Sequence, residues 1–64
     1  MRIDLNGTAI EMSACTLAEA LTDLGYAGAL ATALNGSFVP ATARTETPLR
    51  DGDRVEVLAP MQGG

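Results

Sequence analysis

Few side chains in this 64-residue sequence could do covalent chemistry. There is no histidine and no lysine. That removes the commonest general base, a Schiff-base amine and the lysine of a phosphate-binding loop. The single cysteine, Cys15, can make neither an intrachain disulfide nor a multi-cysteine metal site, and it reads as a small, semi-buried loop residue. What remains is the end of the main chain. The sequence closes on Pro60-Met61-Gln62-Gly63-Gly64, which reads either as a plain frayed end or as a thin tail whose terminal carboxylate, on Gly64, is a candidate reactive group held by another protein.

A carboxylate is a poor electrophile until it carries a leaving group, and the chain has no nucleotide-binding motif to install one. If that carboxylate reacts, its activation is therefore supplied in trans, with the tail presented to another protein's active site. Gly63 and Gly64 lack a Cβ, so a partner's backbone can approach them closely. Pro60 cannot donate to a sheet ladder and releases the tail from a preceding strand. Met61 offers adaptable apolar contact and Gln62 a donor and an acceptor, although packing onto the chain's own domain or plain solvation would suit them equally.

The rest of the composition bounds the partners. Eight acidic residues stand against four basic ones, for a net charge of −4, so the basic surface that nucleic acid requires is absent. The two aromatic residues, Tyr26 and Phe38, are too few and too separated to stack on bases. Asp51, Asp53 and Glu56 could steer a basic protein partner, with a solvated turn as the simpler reading. No apolar run approaches the roughly 18 residues of a membrane span, and the alternating start Arg2-Ile3-Asp4-Leu5 is no signal peptide. A cytoplasmic chain without membrane association is the expectation.

Something must hold the tail. A chain of this length makes one domain that buries about 60% of its unfolded surface, which leaves little material for a deep pocket. The division expected is a folded domain over residues 1–59 and a flexible, reactive tail over residues 60–64. Asn6-Gly7 lies between two alternating runs, Ile3/Leu5 and Ile10/Met12, which is a hairpin signal because both turn residues tolerate positive φ. Thr16 with Glu19 three residues on forms a capping box. Leu17, Ala20, Leu21 and Leu24 then share one helical face, with Gly25 as the stop. Residues 28–34 read as a strand, Asn35-Gly36 as a turn, Ser37–Val39 as a short strand and residues 41–48 as a polar loop. Asp51-Gly52-Asp53 turns the chain into a last strand in which Val55 and Val57 face inward and Leu58 faces out. A mixed sheet of four or five strands wrapped on one main helix is the economical α+β arrangement. Leu58, outward and beside the tail, is a possible docking residue.

Asn6-Gly7, Leu34–Pro40 (LNGSFVP), Leu49–Leu58 (LRDGDRVEVL) and the PMQGG ending occur together, in order, over essentially the whole chain. In this combination the sequence resembles the ThiS-type sulfur carrier proteins of thiamine biosynthesis. It departs from many of them after Val39-Pro40, where they carry Arg and, three residues later, Trp; here those positions are Ala41 and Arg44. The resemblance implies a β-grasp, ubiquitin-like fold and a protein that is a co-substrate rather than an enzyme. It also implies that an adenylating enzyme, using ATP that this chain does not itself bind, activates the Gly64 carboxylate as an acyl-adenylate. Sulfur from a donor such as a cysteine desulfurase system would then give a thiocarboxylate, from which thiazole synthase draws the sulfur. The small subunit of molybdopterin synthase shares this chemistry and is one alternative. An unmodified β-grasp binding module is another, and a free-standing enzyme is a distant third.

Overall fold

The computed structural model describes residues 1–59. Strands β1 (Arg2–Leu5) and β2 (Thr8–Glu11) precede helix α1 (Leu17–Asp23). They are followed by β3 (Ala31–Leu34), β4 (Ser37–Val39), the 3-10 helix η1 (Ala41–Glu46) and β5 (Arg54–Leu58). The strands form one sheet in the order β2-β1-β5-β3-β4. β1 and β5 run parallel, whereas β1–β2, β3–β4 and β3–β5 pair antiparallel. The result is the mixed, single-helix α+β arrangement read from the pattern, with the last strand of the chain in the middle of the sheet.

Local chemistry accounts for most of these elements. Asn6 and Asn35 both sit at φ 50 and are followed by Gly7 and Gly36 at φ 87. Consecutive positive φ values give the turn whose twist matches a hairpin. At α1, the Thr16 hydroxyl oxygen accepts from the Glu19 amide at 3.2 Å, and the Glu19 carboxylate accepts from the Cys15 amide at 3.0 Å. The other end closes with Gly25 at φ 84. There the Tyr26 amide donates to Leu21 O and the Gly25 amide to Thr22 O, the paired bonds that satisfy a helix's last carbonyls.

One sheet face packs on α1. Ile3, Val39, Val55 and Val57 from the strands meet Leu17, Ala20 and Leu21 of the helix, and Leu49 closes the side. Thr32 is the one buried polar residue among those described. Its hydroxyl donates to Val39 O at 2.8 Å, so it enters the core without an unpaired group.

Three local expectations change. Residues 41–48 are not a plain loop: η1 occupies Ala41–Glu46, opened by the Ala43 amide donating to Pro40 O at 2.9 Å. A 3-10 turn this polar has no apolar period to reveal it. In the 28–34 segment the strand is confined to Ala31–Leu34, because Gly28 at φ 85 is still turning the chain. Cys15 is exposed rather than semi-buried; its amide and carbonyl are engaged by Glu19 and the Leu49 amide. Among the described residues, no helix is long and apolar enough to cross a membrane.

Candidate functional site: the end of β5 and the open sheet face

The expected tail residues Met61, Gln62, Gly63 and Gly64 lie outside the described residues. The platform from which they extend does not. β5 alternates strictly, with Val55 and Val57 buried and Arg54, Glu56 and Leu58 exposed. Period-two side-chain direction places Leu58 on the face away from α1, where it is 72% exposed.

Register carries that face across the sheet. Leu58 pairs with Ala31, Glu56 with Ala33, and Ala33 in turn with Phe38 of β4. Phe38 is 70% exposed. Two alanines on β3 thus lie between a leucine on one side and a phenylalanine on the other. Alanine side chains are too short to fill the interval, and a shallow depression of about 290 Å³ remains there. Phe38 and Leu58 are the two large hydrophobic residues exposed among those described. Phe38 escaped the sequence reading as a surface residue, although a signal existed: it directly precedes Val39, and one of two neighbours on a strand must face outward.

The acidic residues divide. Asp51 Oδ1 accepts from the Arg2 amide at 2.7 Å. Asp53 accepts from the Arg50 amide at 2.8 Å and from Asn35 Nδ2 at 3.0 Å. Both carboxylates therefore hold the turn that launches β5, whereas Glu56 is exposed on the open face. Arg44, in η1, turns inward: its guanidinium donates to Thr32 Oγ1 and Leu30 O, so it adds nothing to the open face.

The exit of β5 is held on both edges. On one edge β3 pairs with it as far as Leu58. On the other, backbone pairing with β1 stops near Val55, and the Asn6 side chain takes over. Its Oδ1 accepts from the Val57 amide at 2.9 Å, and its Nδ2 donates to Val57 O at 3.2 Å. Among the described residues, no group of three or more His, Cys, Asp or Glu could hold a metal ion. The arrangement offers a fixed launch point for the tail and an apolar face beside it.

The family model described as the ThiS family matches residues 3–64. Among solved structures, the chain is similar to a thiamine biosynthesis protein (ThiS) from Geobacter metallireducens. That pair has 32% sequence identity, all of both chains covered and a TM-score of 0.85. No match is found among curated proteins. The mixed sheet on one helix is accordingly the β-grasp, ubiquitin-like fold.

Proposed function

The chain belongs to the ThiS family, and from that premise we propose that it is a sulfur carrier of thiamine biosynthesis whose working group is the carboxylate of Gly64. The observation that carries this reading is the family match itself, which runs over residues 3–64 and so takes in the tail.

The chemistry proceeds in trans. In an adenylating partner, a Gly64 carboxylate oxygen attacks the α-phosphorus of ATP, and pyrophosphate leaves. The acyl carbon, now bonded to a good leaving group, is attacked by the outer sulfur of a persulfide on a donor such as a cysteine desulfurase system, and AMP departs. A thiol then cleaves the S–S bond of the resulting acyl disulfide, becoming oxidised to a disulfide with the donor and leaving the outer sulfur on the acyl carbon. The product is a terminal thiocarboxylate, a stronger nucleophile than the carboxylate it replaces, and thiazole synthase takes its sulfur. This chain contributes no acid, base or nucleotide site to these steps. It contributes the carboxylate, the narrow Gly63-Gly64 approach, adaptable contacts at Met61 and Gln62, and the Leu58–Phe38 face as a docking surface. On this reading the protein is a co-substrate and not an enzyme.

The test is intact mass after incubation with ATP, a ThiS-adenylating enzyme and a sulfur donor. Replacement of one oxygen by sulfur, lost on deletion of Gly64, is the expected result. No mass change in the full chain overturns the reading. Sulfur transfer to thiazole synthase then checks the acceptor.

A further inference from the structure

We propose that Asn6 is a positioning residue for the reactive tail: its side chain fixes the backbone of Val57 near the end of β5 and thereby the point from which residues 60–64 depart. The inference deepens the carrier reading and rests on it, but the observations behind it are independent of the family.

The geometry points to a substitution of side chain for backbone. In the parallel β1–β5 pair, Asp4 and Leu5 are in register with Arg54 and Val55, and the Asn6 amide still donates to Val55 O at 2.9 Å. A continuing β1 would next offer Val57 a backbone carbonyl and a backbone amide. It cannot, because at Asn6 the chain takes φ 50 and turns away into β2. The Asn6 carboxamide supplies both groups instead, accepting from the Val57 amide and donating to its carbonyl. These are contacts across 51 residues of sequence. Pro60, the first residue of the expected tail, follows Val57 by three positions in the sequence.

Asn35 does the same work at the opposite end of β5. It has the same φ of 50 and the same following glycine, its Oδ1 accepts from the Arg54 amide at 2.9 Å, and its Nδ2 donates to Asp53. The two asparagines clamp one strand at its two ends, and only the Asn6 clamp adjoins the tail. A reacting group displaced by a fraction of a bond length loses rate steeply once bound. The Asn6 clamp therefore acts after docking, on how the tail lies in the partner's site, and Asn35 serves as its matched control.

Asn6→Gly and Asn35→Gly remove each carboxamide while keeping a residue at ease with positive φ. Each full chain is assayed for amide hydrogen exchange at Val57 and Arg54, and for steady-state adenylation as kcat and KM. In Asn6→Gly the Val57 amide is expected to exchange about tenfold faster. There kcat falls roughly tenfold or more, and KM stays near the parent value because the apolar anchors Phe38 and Leu58 are retained, Asn6 being only a polar residue at the edge of their depression. Asn35→Gly is expected to release the Arg54 amide and keep kcat. Asn6→Asp, which retains the acceptor and loses the donor, should fall between parent and glycine variant, and it serves if Asn6→Gly does not fold. Parental kcat with an exposed Val57 amide overturns the proposal, as does an unchanged Val57 exchange rate. An equal loss of kcat in Asn35→Gly also overturns it, since the effect would then be general loosening. A parent chain that is never adenylated overturns the carrier reading and the positioning role together.

Discussion

The guanidinium of Arg44 reaches from η1 to the hydroxyl of Thr32 on β3, with Nε donating to Oγ1 at 3.0 Å. A second arm of the same group donates to Leu30 O, and the Thr32 hydroxyl in turn donates to Val39 O at 2.8 Å. One half-buried cation thus ties the 3-10 segment to two strands through hydrogen bonds rather than through a carboxylate. Of the two positions at which the sequence departs from the motif it resembles, Ala41 and Arg44, the second is an internal brace.

Arg44→Met keeps much of the apolar stem and removes both donors. Hydrogen bonds from a charged group contribute about 1.5–3 kcal/mol when buried, and partial exposure puts this pair near the lower end. A loss of about 1.5 kcal/mol is expected, read as a fall in Tm on the order of 4–8 °C per kcal/mol for a domain of this size. Sulfur loading of the folded protein should be unaffected. A Tm equal to the parent's would show that water replaces the guanidinium without cost.

The capping box at α1 gives a second, local prediction. Thr16→Ala deprives the Glu19 amide of its acceptor, and such a change costs about 1 kcal/mol. Because the Glu19 side chain returns a bond to the Cys15 amide, Thr16→Ala and Glu19→Ala should be less than additive in a double-mutant cycle. Strict additivity in chemical denaturation would separate the two bonds into independent contacts.

These two cases mark what could be read from the sequence. The Thr16–Glu19 box, the Asn-Gly turns and the Gly25 stop involve partners within about four residues, so residue type and spacing suffice. The alternation that buries Val55 and Val57 and exposes Leu58 is likewise carried by neighbours in the chain. Arg44 and Asn6 are different. Their partners, Thr32 and Val57, become neighbours only after β3, β5 and η1 have assembled, and a polar side chain bound to distant backbone leaves no periodic trace. η1 was hidden for a related reason, since its turns rest on backbone bonds and bury no apolar stripe. Phe38 was legible in principle from its place before Val39, but its depression exists only because Ala31 and Ala33 come between it and β5.

Lysine is missing from the sequence altogether, and an activated C-terminal acyl group is open to attack by amines. Arg2, Arg50 and Arg54 are exposed, so changing all three to lysine supplies amines at constant charge. During adenylation the triple variant is expected to form isopeptide-linked dimers absent from the parent. Their yield should rise with pH, because a lysine amine is nucleophilic only when deprotonated and its ordinary pKa is about 10.4. Intact mass measures the outcome, and a variant that loads sulfur as cleanly as the parent would refute a protective role for the missing lysines.

The open face makes the sharpest contrast with the Asn6 clamp. Phe38→Ser and Leu58→Ser alter side chains that are 70% and 72% exposed, so each should change stability by no more than about 0.5 kcal/mol. If this face docks the adenylating partner, removal of an apolar anchor weakens encounter without moving the tail. KM is then expected to rise by about tenfold, in line with the 1–2 kcal/mol of an interface anchor, while kcat is retained. The two substitutions flank one depression, so their effects should be coupled rather than independent. Steady-state adenylation on each single variant and the double variant checks both points. An unchanged KM in the double variant would remove the Leu58–Phe38 face from the docking surface and leave recognition to the tail.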